Sequence, residues 1–214
     1  MKEERITFPS GGLTLEGLMV IPAGSPAVRG GVVCHPHPQY GGSMYNNVVE
    51  AALEAMWRLG WATLRFNFRG VGESEGEHGG GVGEAADAAA AAQFLIGQAG
   101  VAASGAVLAG YSFGAMAALT AAPTIANLAA LALIALPLRM TDTAALERFN
   151  QPIVLAAGDR DGYCPVAELQ ALHRRLGARS QLEIIAGADH FFGGFEENLA
   201  SVLEAMLQRV TTTS

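Results

Sequence analysis

Short apolar runs and stretches of helical periodicity alternate along most of this chain. RITFPSGGLTLEGLMVIP reads as two strands around a Ser-Gly-Gly turn, and GGVVCH as a third, short strand. NNVVEAALEAMWRLG carries its apolar residues at helical spacing, with Gly60 closing the helix. WATLRFNF is a strand, GEAADAAAAAQFLIGQ a helix built from the strongest helix former, GAVLAGY a strand and GAMAALTAA a helix ended by Pro123. LAALALIAL fits a helix or a strand by periodicity alone. Its place between that helix and the Pro-containing LPLRM favours a strand. PIVLAAG, VAELQALHRRLG, QLEIIAG and NLASVLEAMLQRV then read as strand, helix, strand and closing helix.

Strands that alternate with helices predict an α/β fold, and here the alternation runs from the third strand onward. The expected architecture is an eight-stranded, mostly parallel sheet with helices on both faces and the leading hairpin as an antiparallel edge. Residues 1–214 are expected to form a single domain. Two connections matter for function. GVGESEGEHGGGVGE, residues 70–84, reads as a mobile, solvated loop, and only Arg139–Gln151 separates the sixth strand from the seventh. That leaves room for one short helix, DTAALERF, and no cap domain.

Composition changes this picture in three places. No charged residue occurs between Ala88 and Leu138, yet polar residues interrupt the run and its longest clean piece, Leu128–Leu138, is eleven residues. A membrane span needs roughly 20 consecutive apolar residues; strands covered on both faces explain the run instead, and no membrane partner is expected. The formal net charge of −7 argues against nucleic acid. Two distant cysteines, Cys34 and Cys164, and a charged N-terminus without an apolar core fit a reduced, cytoplasmic protein.

The chemistry centres on VLAGYSFGAMAAL, residues 107–119. In Gly-x-Ser-x-Gly at a strand-to-helix seam, the serine sits on a sharp turn and projects its hydroxyl above the sheet, next to a helix N-terminus that favours developing negative charge. Ser112 is therefore the candidate nucleophile; a plain Gly-Ser helix cap is the bland alternative. A serine needs a base and an orienting acid. Beyond Ser112 there are only two histidines. His173 lies in a helix beside two arginines and reads as a surface residue, whereas His190 follows the last strand in a Gly-flanked loop and is the candidate base. GDRDGYCP offers the acid: Asp161 is preferred, Asp159 is expected to cap the turn, and Asp189, adjacent to His190, is expected to hold the histidine loop.

With these pieces in place the sequence resembles the α/β-hydrolase superfamily over almost its whole length, through GYSFG, GDRDGYCP, GADHFF, HPHPQYGGSMYNN and FNFRGVGESEG. It is similar to small cap-less bacterial serine hydrolases near the dienelactone-hydrolase and carboxylesterase branches, although dienelactone hydrolases carry a Cys nucleophile. The resemblance implies an acid four residues before a Pro, which again selects Asp161, and a structural role for Arg69–Ser74.

The oxyanion of acyl transfer needs two donors. One is expected from the backbone N–H of Phe113, after the nucleophile, and the other from the loop of residues 34–42. Pro36 and Pro38 lack an N–H, so His37 is the candidate, with Tyr40 and Gly41 as alternatives. Tyr40, Met44, Tyr45, Leu138, Met140, Tyr163 and Phe191 are candidate pocket linings. His35 and His37 invite a metal, but a third ligand is missing and neither metal nor cofactor is expected. The expected activity is hydrolysis of short-chain carboxylic esters through an acyl-enzyme, on a small-molecule ester, by a monomer or small homo-oligomer. A thioesterase, peptidase or cofactor-free peroxidase on the same residues, or a catalytically silent binding protein with this fold, remains the alternative.

Overall fold

The computed structural model describes residues 2–23 and 27–212. Its strands are β1 (Glu4–Ser10), β2 (Leu13–Val20), β3 (Val28–Cys34), β4 (Ala62–Phe66), β5 (Val101–Tyr111), β6 (Leu128–Ile134), β7 (Ile153–Gly158) and β8 (Ser180–Ile185). The helices are α1 (Asn47–Arg58), α2 (Val82–Ile96), α3 (Phe113–Ala121), α4 (Ala144–Arg148), α5 (Val166–Leu176) and α6 (Glu196–Thr212).

All eight strands join one sheet in the order β1-β2-β4-β3-β5-β6-β7-β8. β1 and β2 pair antiparallel, as do β2 and β4, and every other pairing is parallel. The ambiguous LAALALIAL run is β6, paired on both sides. The pleat divides the core in two. Val32, Leu64, Phe66 and Leu108 face α2, α3 and α5, while Val33, Val107, Ala109 and Val154 face α1 and α6. The central strands are buried on both faces, which is why they read as unbroken apolar runs.

Between β6 and β7 the chain makes one 3₁₀ turn, Leu138–Met140, and the five-residue α4. No cap is inserted. Among the described residues no helix is long and apolar enough to cross a membrane.

The loop of residues 70–84 departs from expectation. Its outer surface is solvated, but it is pinned to the sheet. Two hydrogen bonds join Thr14 and Glu75: the Thr14 N–H donates to the Glu75 carboxylate at 2.6 Å, and the Glu75 N–H to the Thr14 carbonyl at 3.0 Å. Ser74 is buried and donates to the Asn67 carbonyl at 2.7 Å. At the far end, the fully buried Glu84 accepts the N–H groups of Gly79 and Gly81, both at 2.7 Å. Three residues on, the equally buried Asp87 takes the Ser10 hydroxyl at 2.6 Å and two bonds from the Arg69 guanidinium at 2.7 and 2.9 Å. Buried carboxylates must be paired, and pairing these two anchors the loop to α2.

Candidate active site

β5 ends at Tyr111 and α3 begins at Phe113, so Ser112 occupies the turn alone. Its backbone lies at φ 54°, ψ −118°, a conformation a side-chain-bearing residue rarely adopts and that costs about 1–3 kcal/mol. The flanking glycines are demanded by space. A Cβ on Gly110 would stand 2.2 Å from the Gly114 carbonyl oxygen, and one on Gly114 would stand 2.3 Å from that of Cys34 and 2.5 Å from that of His35. The turn is therefore closed onto itself and onto the loop after β3.

The structure brings Ser112, His190 and Asp161 into one hydrogen-bonded chain. Ser112 Oγ lies 2.9 Å from His190 Nε2, and His190 Nδ1 lies 2.8 Å from Asp161 Oδ2. A carboxylate only accepts, so Nδ1 carries the proton and Nε2 presents its lone pair to the Ser112 hydroxyl. The other Asp161 oxygen accepts the N–H groups of Tyr163 and Cys164 at 2.8 and 3.0 Å. The Asp161 side chain is fully buried and His190 nearly so. Asp159 acts differently from expectation: it accepts the Gly187 N–H at 2.7 Å, joining the β7 loop to the turn after β8 rather than capping its own turn. Asp189 accepts the Phe191 N–H at 2.9 Å and so holds the histidine loop. His173 is half-buried, its Nδ1 2.8 Å from Ser180 Oγ, and is not the free surface residue the sequence suggests.

The loop after β3 lies alongside this turn, its His37 ring 4.6 Å from that of Phe113. His37 precedes the 3₁₀ turn Pro38–Tyr40 and accepts the Gln39 N–H on its own ring. The N–H of Tyr40 donates to the His37 carbonyl and that of Gly41 to the Pro38 carbonyl, both at 3.1 Å, so both are already used inside the turn. His35 fastens the loop from below. Its Nδ1–H donates to the Pro36 carbonyl at 2.7 Å, and its Nε2 accepts the Phe68 N–H at 3.0 Å. Burial pushes the His35 imidazole down to about 4, so it stays neutral, with both nitrogens occupied.

His78 belongs to this corner although the sequence reading gives it no role. Its ring centroid is 5.0 Å from that of His37 and 5.6 Å from that of Phe113. Its buried Nδ1 stands 2.8 Å from Glu84 Oε1, off the direction of the ring N–H, so the contact is an ion pair when the ring is charged rather than an aligned hydrogen bond. Burial and the neighbouring His78 both push the His37 ring pKa down.

Of the expected pocket linings, Tyr163 and Phe191 flank His190, with ring centroids 4.7 and 5.6 Å from the imidazole. The Tyr40 ring lies tilted against that of His37 at 4.8 Å and is exposed, as is Met140, while Leu138 packs partly into the core. Met44 is a correction: it is buried, and its N–H donates to Asn67 Oδ1 at 2.9 Å. Tyr45 is exposed, and the Arg65 guanidinium lies over its ring at 5.2 Å, in a cluster that ties Arg65 to Glu3 and Glu50.

A serine on a strained strand-to-helix turn, hydrogen-bonded to an imidazole that a buried carboxylate holds, is the arrangement the resemblance predicts. The family model described as an alpha/beta hydrolase domain matches residues 36–213. The chain belongs to this family. An uncharacterized protein of Rickettsia prowazekii (strain Madrid E) is 36% identical over 178 residues, which span 79% of this chain and 74% of that protein. A solved alpha-beta serine hydrolase homologue from Coxiella burnetii is 32% identical, with a TM-score of 0.85 over 96% of this chain and 97% of that one. A serine hydrolase from Xanthomonas campestris described as having no lid is 30% identical, with the same TM-score, over 98% of this chain and 95% of that one. The alpha/beta hydrolase family therefore accounts for the chain's fold.

Proposed function

We propose that this hydrolase cleaves carboxylic esters of short acyl chains through a Ser112 acyl-enzyme. Ser112 Oγ attacks the ester carbonyl carbon while His190 Nε2 takes its proton. Asp161 holds the imidazole in the required tautomer and balances its charge. The tetrahedral oxyanion is held by the Phe113 N–H, which lies in the first turn of α3 and has no intrahelical partner, and by the His37 N–H. The competing donors in that loop, Tyr40 and Gly41, are already used in the turn, which supports His37. The ester C–O bond then breaks, and water repeats the sequence on the acyl-enzyme to return acid and free Ser112.

One observation carries this reading: the Ser112–His190–Asp161 chain, 2.9 and 2.8 Å, at a strained turn that holds the serine hydroxyl against the imidazole. Strain is retained where it presents a reacting group. The same observation disfavours a silent binding protein, which has no need of it. The open connection between β6 and β7 leaves water free to reach the acyl-enzyme and favours hydrolysis over transfer. Fluorophosphonate labelling combined with a screen of ester, thioester and amide substrates tests the proposal. A single adduct at Ser112 and highest turnover on esters are expected. No adduct, or turnover confined to amides or thioesters, overturns it.

A further inference from the structure

We propose that the alcohol half of the ester carries a flat aromatic ring that packs against Tyr163 and Phe191 beside His190. This rests on the ester-hydrolase reading above and extends it to the leaving group.

The chemistry decides where the alcohol must lie. In acylation the Ser112 Oγ–carbonyl bond forms and the ester C–O bond breaks. The proton that His190 Nε2 took from Ser112 passes to the departing oxygen, releasing a neutral alcohol. Deacylation consumes one water, whose proton travels through the same nitrogen back to Ser112 Oγ. Proton transfer requires the leaving oxygen within hydrogen-bond reach of Nε2. Whatever the acyl group is, the alcohol therefore departs on the His190 side of Ser112, away from the oxyanion loop.

Two aromatic rings stand there. The Tyr163 ring is 4.7 Å from the imidazole at 49°, and the Phe191 ring is 5.6 Å away, nearly perpendicular at 84°. Both remain largely in solvent, 57% and 64% exposed, and they are two of the six large hydrophobic residues so exposed among the described residues. Beyond their contact with the imidazole, the scaffold holds them by their backbones. The Tyr163 N–H donates to Asp161, the Phe191 N–H to Asp189, and the Phe191 carbonyl accepts Asn47 Nδ2 at 3.0 Å. The rings themselves do little core packing, so their exposed faces await a contact. Aromatic faces and edges favour another aromatic ring, through the complementary charge of face and rim, over a saturated group of equal size.

Benzyl acetate and cyclohexylmethyl acetate make the test. They share the acetyl group and the carbon skeleton of a primary alcohol; benzyl alcohol is the slightly better leaving group and the saturated ring the more hydrophobic, so the change of their ratio on removing the two side chains isolates the ring contacts. The wild-type protein should favour benzyl acetate in kcat/KM, by about two- to ten-fold for each ring engaged. Tyr163→Ala and Phe191→Ala should each lower that ratio, and the double variant should bring it to about one. Each change leaves the backbone hydrogen bonds in place, so circular dichroism should report an intact fold. A wild-type ratio at or below one overturns the proposal, as does a ratio the double variant leaves unchanged. If methyl acetate is hydrolysed without such a preference, only the leaving-group assignment falls. If no acetate is turned over and fluorophosphonate leaves Ser112 unlabelled, the ester-hydrolase reading falls with it.

Discussion

The Tyr111 hydroxyl donates a 2.8 Å hydrogen bond to the backbone carbonyl of His190. Tyr111 immediately precedes Ser112, so one side chain ties the strained turn to the loop carrying the imidazole, across 79 residues of sequence. Burial pushes the phenol pKa up, so the hydroxyl keeps its proton and remains a donor. Tyr111→Phe leaves the His190 carbonyl unpaired in a buried place, which costs about 1–3 kcal/mol. Thermal denaturation should show a loss of about 2–4 °C per kcal/mol. The effect on turnover should fall on kcat with KM nearly unchanged, roughly ten-fold, because a small displacement of the base suffices. An unaltered kcat would mean that the tie is structural only.

Replacing the proposed nucleophile separates strain from chemistry. Ser112→Ala and Ser112→Gly both remove the attacking oxygen and should abolish ester hydrolysis. Only glycine also relieves the backbone at φ 54°, which stores about 1–3 kcal/mol. The Gly variant should therefore melt above the Ala variant by several degrees. Equal melting temperatures would show that the turn is not strained, and turnover of either within ten-fold of wild type would remove Ser112 from the mechanism.

The two aspartates of GDRDGYCP should respond very differently. Asp161→Asn asks one side chain to accept from His190 on one oxygen and from Tyr163 and Cys164 on the other, and the amide has only one acceptor. The imidazole loses its tautomer, and kcat should fall by several orders of magnitude (~10⁴ in a serine protease). Asp159→Asn keeps an acceptor for the Gly187 N–H and should stay within ten-fold. The reverse order in steady-state kinetics would move the acid to Asp159.

Much of this was legible because it is local. A parallel strand buried on both faces is an apolar run, and a strand-to-helix turn around Ser112 is five consecutive residues. What escaped depends on contacts between distant segments. Nothing near His78 in the chain announces that its ring rests against those of His37 and Phe113, nor does the phenol of Tyr111 reveal a partner at His190. The loop of residues 70–84 read as mobile because glycines and glutamates usually mark solvated chain. A signal was present nevertheless. Glu84 and Asp87 stand three apart on the face of α2 that also carries Ala85, Ala88, Ala91 and Leu95, all buried. Two carboxylates on a core-facing stripe require partners, and the nearest candidates were the backbone of that loop and Arg69 just before it. Met44 misled for the opposite reason: an apolar residue beside a candidate loop packs inward more often than it lines a pocket.

The neutral His35 predicts acid sensitivity. Its folded pKa, about 4, lies below the roughly 6.5 of an unfolded histidine. Between those values the unfolded chain binds a proton that the folded protein refuses, so stability rises with pH there. The contribution is complete above about 6.5 and lost as pH falls towards about 4. Urea denaturation across that window should give a smaller pH slope for His35→Gln than for wild type. Equal slopes would mean that His35 titrates normally.

The short connection between β6 and β7 bears on the acyl group. A lipase-like cap would supply an apolar wall for a long chain and would have to open at an oil–water boundary. Here that stretch holds only a 3₁₀ turn and the five residues of α4, and Met140 within it is exposed to solvent. A long acyl chain would lie largely in water, and each methylene left unburied forgoes about 0.8 kcal/mol. Across a series of esters of one alcohol, kcat/KM should peak between acetyl and butyryl and decline for longer chains. Activity should also pass through the substrate's solubility limit without a jump, because there is no lid to open. Palmitoyl esters hydrolysed faster than butyryl ones would require an apolar groove along the pinned loop of residues 70–84. Exposed Val82, 80% accessible at the start of α2, would be the residue to truncate first in search of it.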